Sequence, residues 1–201
     1  KLRMKEKDGS VENKSTSVYY LLKDEVEYLK ENGVDDKKEE NGIPIKWISY
    51  KQQFFSTALI SNTGEGFISS TMQSQTEKGQ KDNYLRTMSS NISIPFDKEK
   101  NHYEYDMEFF FGPNKYAVIS DYDLKMEEII PLGWGFFLLQ WINRFVIIPV
   151  FDFLQSFGWS MGLIILILTI LVKLVLFPLA YKQFASSAKM KVIAPEVQKI
   201  N

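Results

Sequence analysis

The chain has 201 residues, 45% of them hydrophobic and 24% charged, with a formal net charge of −1. It contains no cysteine and a single histidine, His102, which excludes disulfide frameworks, thiol nucleophiles, cysteine zinc sites and any two-histidine metal motif. The near-neutral average conceals an asymmetry: from Trp159 onward five lysines face Glu196 alone, a net of +4 that leaves −5 on the residues before it.

In chain order, "VYYLLKDEVEYLK" (18–30) mixes apolar and charged residues and predicts a strand entering a short helix. "ENGVDDKKEENG" (31–42) predicts a charged loop with turns at Asn32-Gly33 and Asn41-Gly42. "IPIKWISYKQQFFSTALI" is rich in β-branched and aromatic residues and predicts one or two strands. "FISSTMQSQT", "NYLRTMSSNISIPF" and "HYEYDMEFFFGPNKY" add three more, separated by polar turns. In the last of these, Tyr103, Tyr105, Met107 and Phe109 alternate with charge. Short strands with closely spaced turn signals predict an antiparallel all-β sandwich over residues 1–130. Within it, Glu104, Asp106 and Glu108 read as a solvated strand face rather than a catalytic cluster. Trp47 and Tyr50 are core residues by ordinary burial tendency, or sugar-stacking aromatics if exposed.

Residues 131–157 change character. Trp134, Phe137, Leu138, Trp141, Phe145 and Ile148 recur at three- and four-residue steps, with Gln140, Asn143 and Arg144 on another flank. An aromatic, nearly uncharged helix of this kind suits the plane of a membrane interface, with Trp134, Phe137, Trp141 and Phe145 in contact with it. Pro149 is expected to end or kink that helix, and "VFDFLQSFG" to form a second short piece.

Residues 158–181 contain one charge, Lys173, in a stretch long enough to cross a bilayer of about 30 Å. Trp159 and Tyr181 stand at the two interfaces, and Pro178 is expected to kink the last turn. Lys182, Lys189 and Lys191 follow the span and an acidic region precedes it. The positive-inside rule then places residues 182–201 in the cytoplasm, as a helical segment, and the β-domain outside it. A chain that starts at Lys1 and stops at Asn201 inside a helical pattern is expected to be part of a longer protein.

"LTILVKLVLFPLAYKQFASSAKMKVIAPEVQKI" resembles the second transmembrane helix and following cytoplasmic segment of the YidC family of membrane protein insertases. The likeness falls on Lys173, Pro178, Leu179, Ser186, Lys189, Met190 and Pro195. "LGWGFFLLQWINRF" is similar to that family's interfacial helix, and "WISYKQQFFSTALI" to a segment of its periplasmic domain. The resemblance implies a periplasmic β-supersandwich and five core membrane helices around a water-accessible groove. It implies a non-enzymatic insertase and chaperone of inner-membrane proteins, using no cofactor. The partners it implies are nascent membrane proteins, the Sec translocon, the ribosome and the lipid bilayer, with no nucleic acid recognised directly. The family's groove residue is usually arginine. Lys173 keeps the charge but not the planar fork, and Thr169, one turn earlier, adds a polar group to the same wall. The alternative function is a membrane-anchored β-sandwich binding module for carbohydrate or a protein partner.

Overall fold

Among the described residues of the computed structural model, the first unit carries eight strands: β1 (Leu2–Arg3), β2 (Ser17–Leu22), β3 (Glu25–Tyr28), β4 (Asp36–Lys51), β5 (Phe55–Ser61), β6 (Phe67–Thr76), β7 (Tyr84–Ser93) and β8 (Met107–Pro113). Helix α1 (Ser10–Lys14) precedes β2, and α2 (Tyr116–Ser120) and a 3-10 turn (Met126–Ile129) follow β8. The structure describes residues 2–3, 9–76, 84–96, 99, 102–133 and 137–197. It separates into two compact units, Lys1–Pro131 and Leu132–Asn201.

Every strand pairing is antiparallel. The long strand β4 organises the sheet. One edge of it carries β2, with β3 beyond; the other carries first β6 and then β5. β6 leads on to β7 and β1, and β5 to β8. The result is a curled, sandwich-like antiparallel sheet, as the strand spacing predicted. Between the pairs Tyr20↔Ile48 and Leu22↔Ile45, β2 advances two residues while β4 advances three. This bulge inverts the in–out alternation. Ile45 and Ile48 therefore enter one core, and Trp47 enters the other.

The first core joins Tyr19, Leu21, Trp47, Ile60 and Phe110 to Ile119 of α2 and to Met126 and Ile129 of the 3-10 turn. The second joins Val18, Tyr20, Ile45, Ile48, Phe67 and Met72. β2 feeds both, which is why its apolar run has no polar break. Arg86 of β7 is fully buried. Its guanidinium donates to Ser74 Oγ (3.0 Å), Asn13 Oδ1 (3.3 Å) and the Val34 carbonyl (2.6 Å), tying α1 and the loop between β3 and β4 to the sheet.

Three expectations are corrected. Residues 18–30 form the β2–β3 hairpin rather than a strand and a helix, because Tyr19 and Tyr28 pair across it with stacked rings 5.1 Å apart. The charged segment from Asp36 is not a loop but the first half of β4. Its charges are compensated both across strands and within β4, Lys38 reaching Glu27 of β3 at 3.1 Å and Glu40 of β4 at 3.5 Å, and Asn41-Gly42 lies inside β4 at a register shift. In β8 the inward residue is Phe110, while Met107, Phe109 and Phe111 face out. Residues 103–106 precede the strand and keep the expected alternation, Tyr103 and Tyr105 half-buried and Glu104 and Asp106 exposed; its phase reverses inside β8.

Tyr20 is fully buried, and its hydroxyl donates to Glu40 at 2.9 Å. Burial pushes this hydroxyl up to about 12. Burial, together with the hydrogen bond to Glu31, raises Tyr19 as well. A phenol held neutral by the fold stabilises it fully below its ordinary value near 10, and that stability is lost as pH rises through the raised value. The urea midpoint of the β-unit is therefore expected to fall between pH 10 and about 12, and Tyr20→Phe to reduce the fall. An unchanged midpoint across that interval contradicts this.

Candidate functional site

The second unit contains the residues singled out for membrane contact. Helix α3 (Phe137–Ile142), a π-helical turn (Asn143–Ile147) and α4 (Ile148–Gln155) run on without a break. Pro149 therefore does not end the helix. A proline removes one helical N–H and its ring clashes with the carbonyl four residues back. The wider π turn immediately before it provides the slack, and Pro149 sits in the first turn of α4. Nothing in the apolar periodicity signals that turn.

Trp134 lies outside the described residues, and Phe137 opens α3. Trp141 and Phe145 are both exposed, their rings 5.6 Å apart. Phe153, Phe157 and Trp159 continue the exposed aromatic surface, with centroid separations of 5.0 and 5.3 Å along the row. The polar flank is engaged with the chain that enters the helix. Gln140 Nε2 donates to the Gly133 carbonyl at 3.1 Å, and Asn143 Nδ2 to the Leu132 carbonyl. The helical spacing of these two residues was legible, but their partners were not.

Gly158, at φ 71°, closes the end of α4, its N–H bonding the Gln155 carbonyl at 3.0 Å; a left-handed residue there favours glycine. Helix α5 (Met161–Val197) then starts, packing its first turns against α4. Leu154 and Ile164 are the buried residues of this pair.

α5 has 37 residues, about 55 Å at 1.5 Å per residue. Met161–Pro178 is long and apolar enough to cross a membrane, with mean hydropathy 2.6 and 6% of its residues buried. Leucine, isoleucine, valine and phenylalanine are exposed around the whole helix. Water is the wrong solvent for such a surface. α5 runs through Pro178 and Pro195 without interruption. Within this apolar surface Thr169 and Lys173 are both exposed and lie one turn apart, on one face. The Thr169 hydroxyl donates to the Ile165 carbonyl at 2.7 Å. Its own helix thus satisfies its proton, and its lone pairs stay outward.

The other candidates do not converge on chemistry. Trp47 is fully buried, its Nε1 donating to the Leu124 carbonyl at 2.8 Å, and Tyr50 packs against the second core. Neither forms a sugar-stacking platform. Glu104, Asp106 and Glu108 are exposed, Glu108 accepting the Tyr122 hydroxyl at 3.2 Å. Among the described residues no three His, Asp or Glu side chains gather in a metal-binding group.

Two family models match the chain. Residues 5–145 match the YidC periplasmic domain, and residues 153–201 the 60Kd inner membrane protein. The chain is 40% identical to a protein of Parabacteroides distasonis over 209 aligned residues, covering all of this chain and 32% of that protein. It is 36% identical to one from Porphyromonas gingivalis, covering 100% of this chain and 32% of the relative. A third, from Bacteroides fragilis, is 37% identical, with 99% and 32% covered. All three are named membrane protein insertase YidC. The chain spans about a third of the length of the curated relatives it matches.

Proposed function

The chain belongs to the YidC family of membrane protein insertases, and from that premise we propose that it supplies a client-contacting helix and the periplasmic domain that precedes it. The observation that carries this reading is the pair Thr169 and Lys173, two polar groups on one face of a helix otherwise apolar all round. In an insertase that face lines a hydrophilic groove. The groove lowers the penalty for moving polar client segments partway through hydrocarbon, Lys173 attracts acidic client residues, and the apolar faces pass the client's own helix into lipid. Nascent membrane proteins are the substrates, handled alone or beside the Sec translocon and the ribosome, without enzymatic turnover.

By this reading residues 1–130 are the periplasmic β-domain and 131–157 lie in the interface. Residues 158–181 cross the membrane, with Pro178 bending the last turn, and 182–201 begin a cytoplasmic segment. A chimera tests it: these residues replace the aligned third of the Parabacteroides distasonis insertase, in cells depleted of their own. Client insertion by protease protection is expected to be restored, and a stably expressed chimera that inserts no client overturns the proposal.

Topology is checked separately. With cysteines at Glu65 and Ser187, both exposed, a membrane-impermeant thiol reagent applied to intact cells is expected to label the first and spare the second. The opposite pattern reverses the orientation. Spin labels placed from Leu139 to Gln155 are expected to show lipid exposure with a helical period that slips by about one residue across Asn143–Ile147, the register change of a π turn. Uniform water exposure contradicts an interfacial helix.

A further inference from the structure

The β-unit has a cleft of about 430 Å³ where the β2–β3 turn, β4, the β5–β6 turn and the segment leading into the 3-10 turn meet. Of the eight residues with positive φ among those described, four line it: Lys23 (57°), Gly66 (64°), Asp123 (53°) and Lys125 (56°). Left-handed backbone at non-glycine residues persists only where the surroundings enforce it, and it gathers at ligand clamps. A Cβ on Gly66 would come 2.9 Å from the Ile45 carbonyl oxygen, so glycine lets the β5–β6 turn close directly onto β4 at that wall. The walls are braced across the sequence. Lys125 Nζ donates to the Asp24 carbonyl at 2.6 Å, Lys46 Nζ to the Thr63 carbonyl at 3.2 Å, and the Trp47 indole to Leu124 at 2.8 Å. The cleft is therefore preformed.

Its chemistry has two signs. Lys23, Lys46 and Lys125 bring three ammonium groups to the lining, Asp24 and Asp123 bring two carboxylates, and Leu21 and Leu124 give an apolar floor. Each bracing lysine uses one of its three donors on a carbonyl and keeps two. We propose that this cleft binds the zwitterionic headgroup of a phospholipid, its phosphate on the lysines and its ammonium on Asp24 and Asp123. Lipid rather than a soluble ester is argued from the apolar floor and from the chain itself: Lys125 precedes Pro131 by six residues, and beyond Pro131 begins the unit that contains the candidate span. The inference rests on membrane residence of that second unit and not on insertase activity.

The test uses the intact chain in maltoside micelles, with lysine labelled with carbon-13 at Cε so that every ammonium keeps its charge and its three donors. On titration with dihexanoyl phosphatidylethanolamine, the Cε signals of Lys23, Lys46 and Lys125 are expected to shift together and saturate while other lysines stay still. The double variant Lys46→Gln, Asp123→Asn is expected to weaken half-saturation about tenfold or more, as is replacing the ligand by dihexanoyl phosphatidylglycerol, which lacks the ammonium. Glycerophosphoethanolamine, the headgroup without acyl chains, is expected to bind more weakly than the lipid. Equal binding of phosphatidylglycerol overturns the zwitterion, and equal binding of the free headgroup overturns the lipid. A uniform shift of all lysines, or none in these three, overturns the site. If the double variant fails to fold, these wild-type comparisons still decide.

Discussion

Replacing Lys173 by leucine is expected to leave expression and membrane integration of the full-length protein intact while slowing insertion of clients with acidic translocated segments about tenfold or more. A tenfold loss corresponds to about 1.4 kcal/mol of interaction, modest for an ammonium meeting a carboxylate away from bulk water. The substitution is isolated from folding by the helix itself. A charge near the centre of a span disfavours insertion by about 2.5–3.5 kcal/mol, and leucine favours it. On the proposed reading Lys173→Leu is thus expected to make α5 a better membrane helix and a worse client site, and the two effects separate in the readout. Lys173→Arg is expected to insert clients normally, since the charge is kept and a fork is added.

The competing account is an anchor helix whose lysine merely reaches the headgroups. Lys173 lies five residues before Pro178, about 7.5 Å along the axis, within reach of a snorkelling side chain. On that account the leucine variant inserts every client at the normal rate. The client series therefore separates the two. A groove charge makes the defect grow with the number of acidic residues in the translocated segment, whereas a snorkelling anchor gives a flat series. Protease protection of paired clients, identical except for acidic or neutral translocated residues, is the measurement, and a flat series sinks the groove-charge mechanism.

What was legible in the sequence follows from what each pattern depends on. The helix long and apolar enough to cross a membrane was legible because length and apolarity are one-dimensional quantities, and Lys173 stood out because nothing else in Met161–Pro178 is charged. Strand existence was legible between Ile43 and Ser93 from β-branched runs and turn residues. The β2–β3 hairpin was not, because Lys23-Asp24 lacks the glycine or asparagine of a marked hairpin turn. Lys23 adopts the left-handed backbone without it. The strand character of Asp36–Glu40 was hidden by its charge, since cross-strand partners such as Glu27 are set by register rather than by local sequence. The π turn, the hydrogen bonds of Gln140 and Asn143, and the cleft at Lys23, Lys46 and Lys125 all depend on residues brought together by the fold. Only Pro149, awkward for a continuing helix, was a local hint of the first.

Truncating Trp47 to alanine is expected to destabilise the β-unit by about 3–5 kcal/mol, a large part of the roughly 5–15 kcal/mol that holds a typical domain together. The indole is fully buried, the largest such side chain among the described residues, and sits in the core that joins β2, β4, β5 and β8 to α2 and the 3-10 turn. Its removal opens a cavity and also leaves the Leu124 carbonyl without the indole donor, 77 residues away in sequence. Trp47→Phe keeps much of the volume and loses only the donor, so it is expected to lower stability by about 1–2 kcal/mol. Differential calorimetry should place the alanine variant roughly 10–20 °C below wild type and the phenylalanine variant between them. A sugar-stacking tryptophan at the surface would leave both midpoints unchanged, so an unshifted alanine variant refutes the core assignment. The phenylalanine variant carries a second consequence. The indole holds Leu124 between Asp123 and Lys125, both of which line the cleft. Losing that one hydrogen bond is therefore expected to weaken phosphatidylethanolamine binding several-fold while the domain stays folded, because the brace that keeps the cleft preformed is the bond removed.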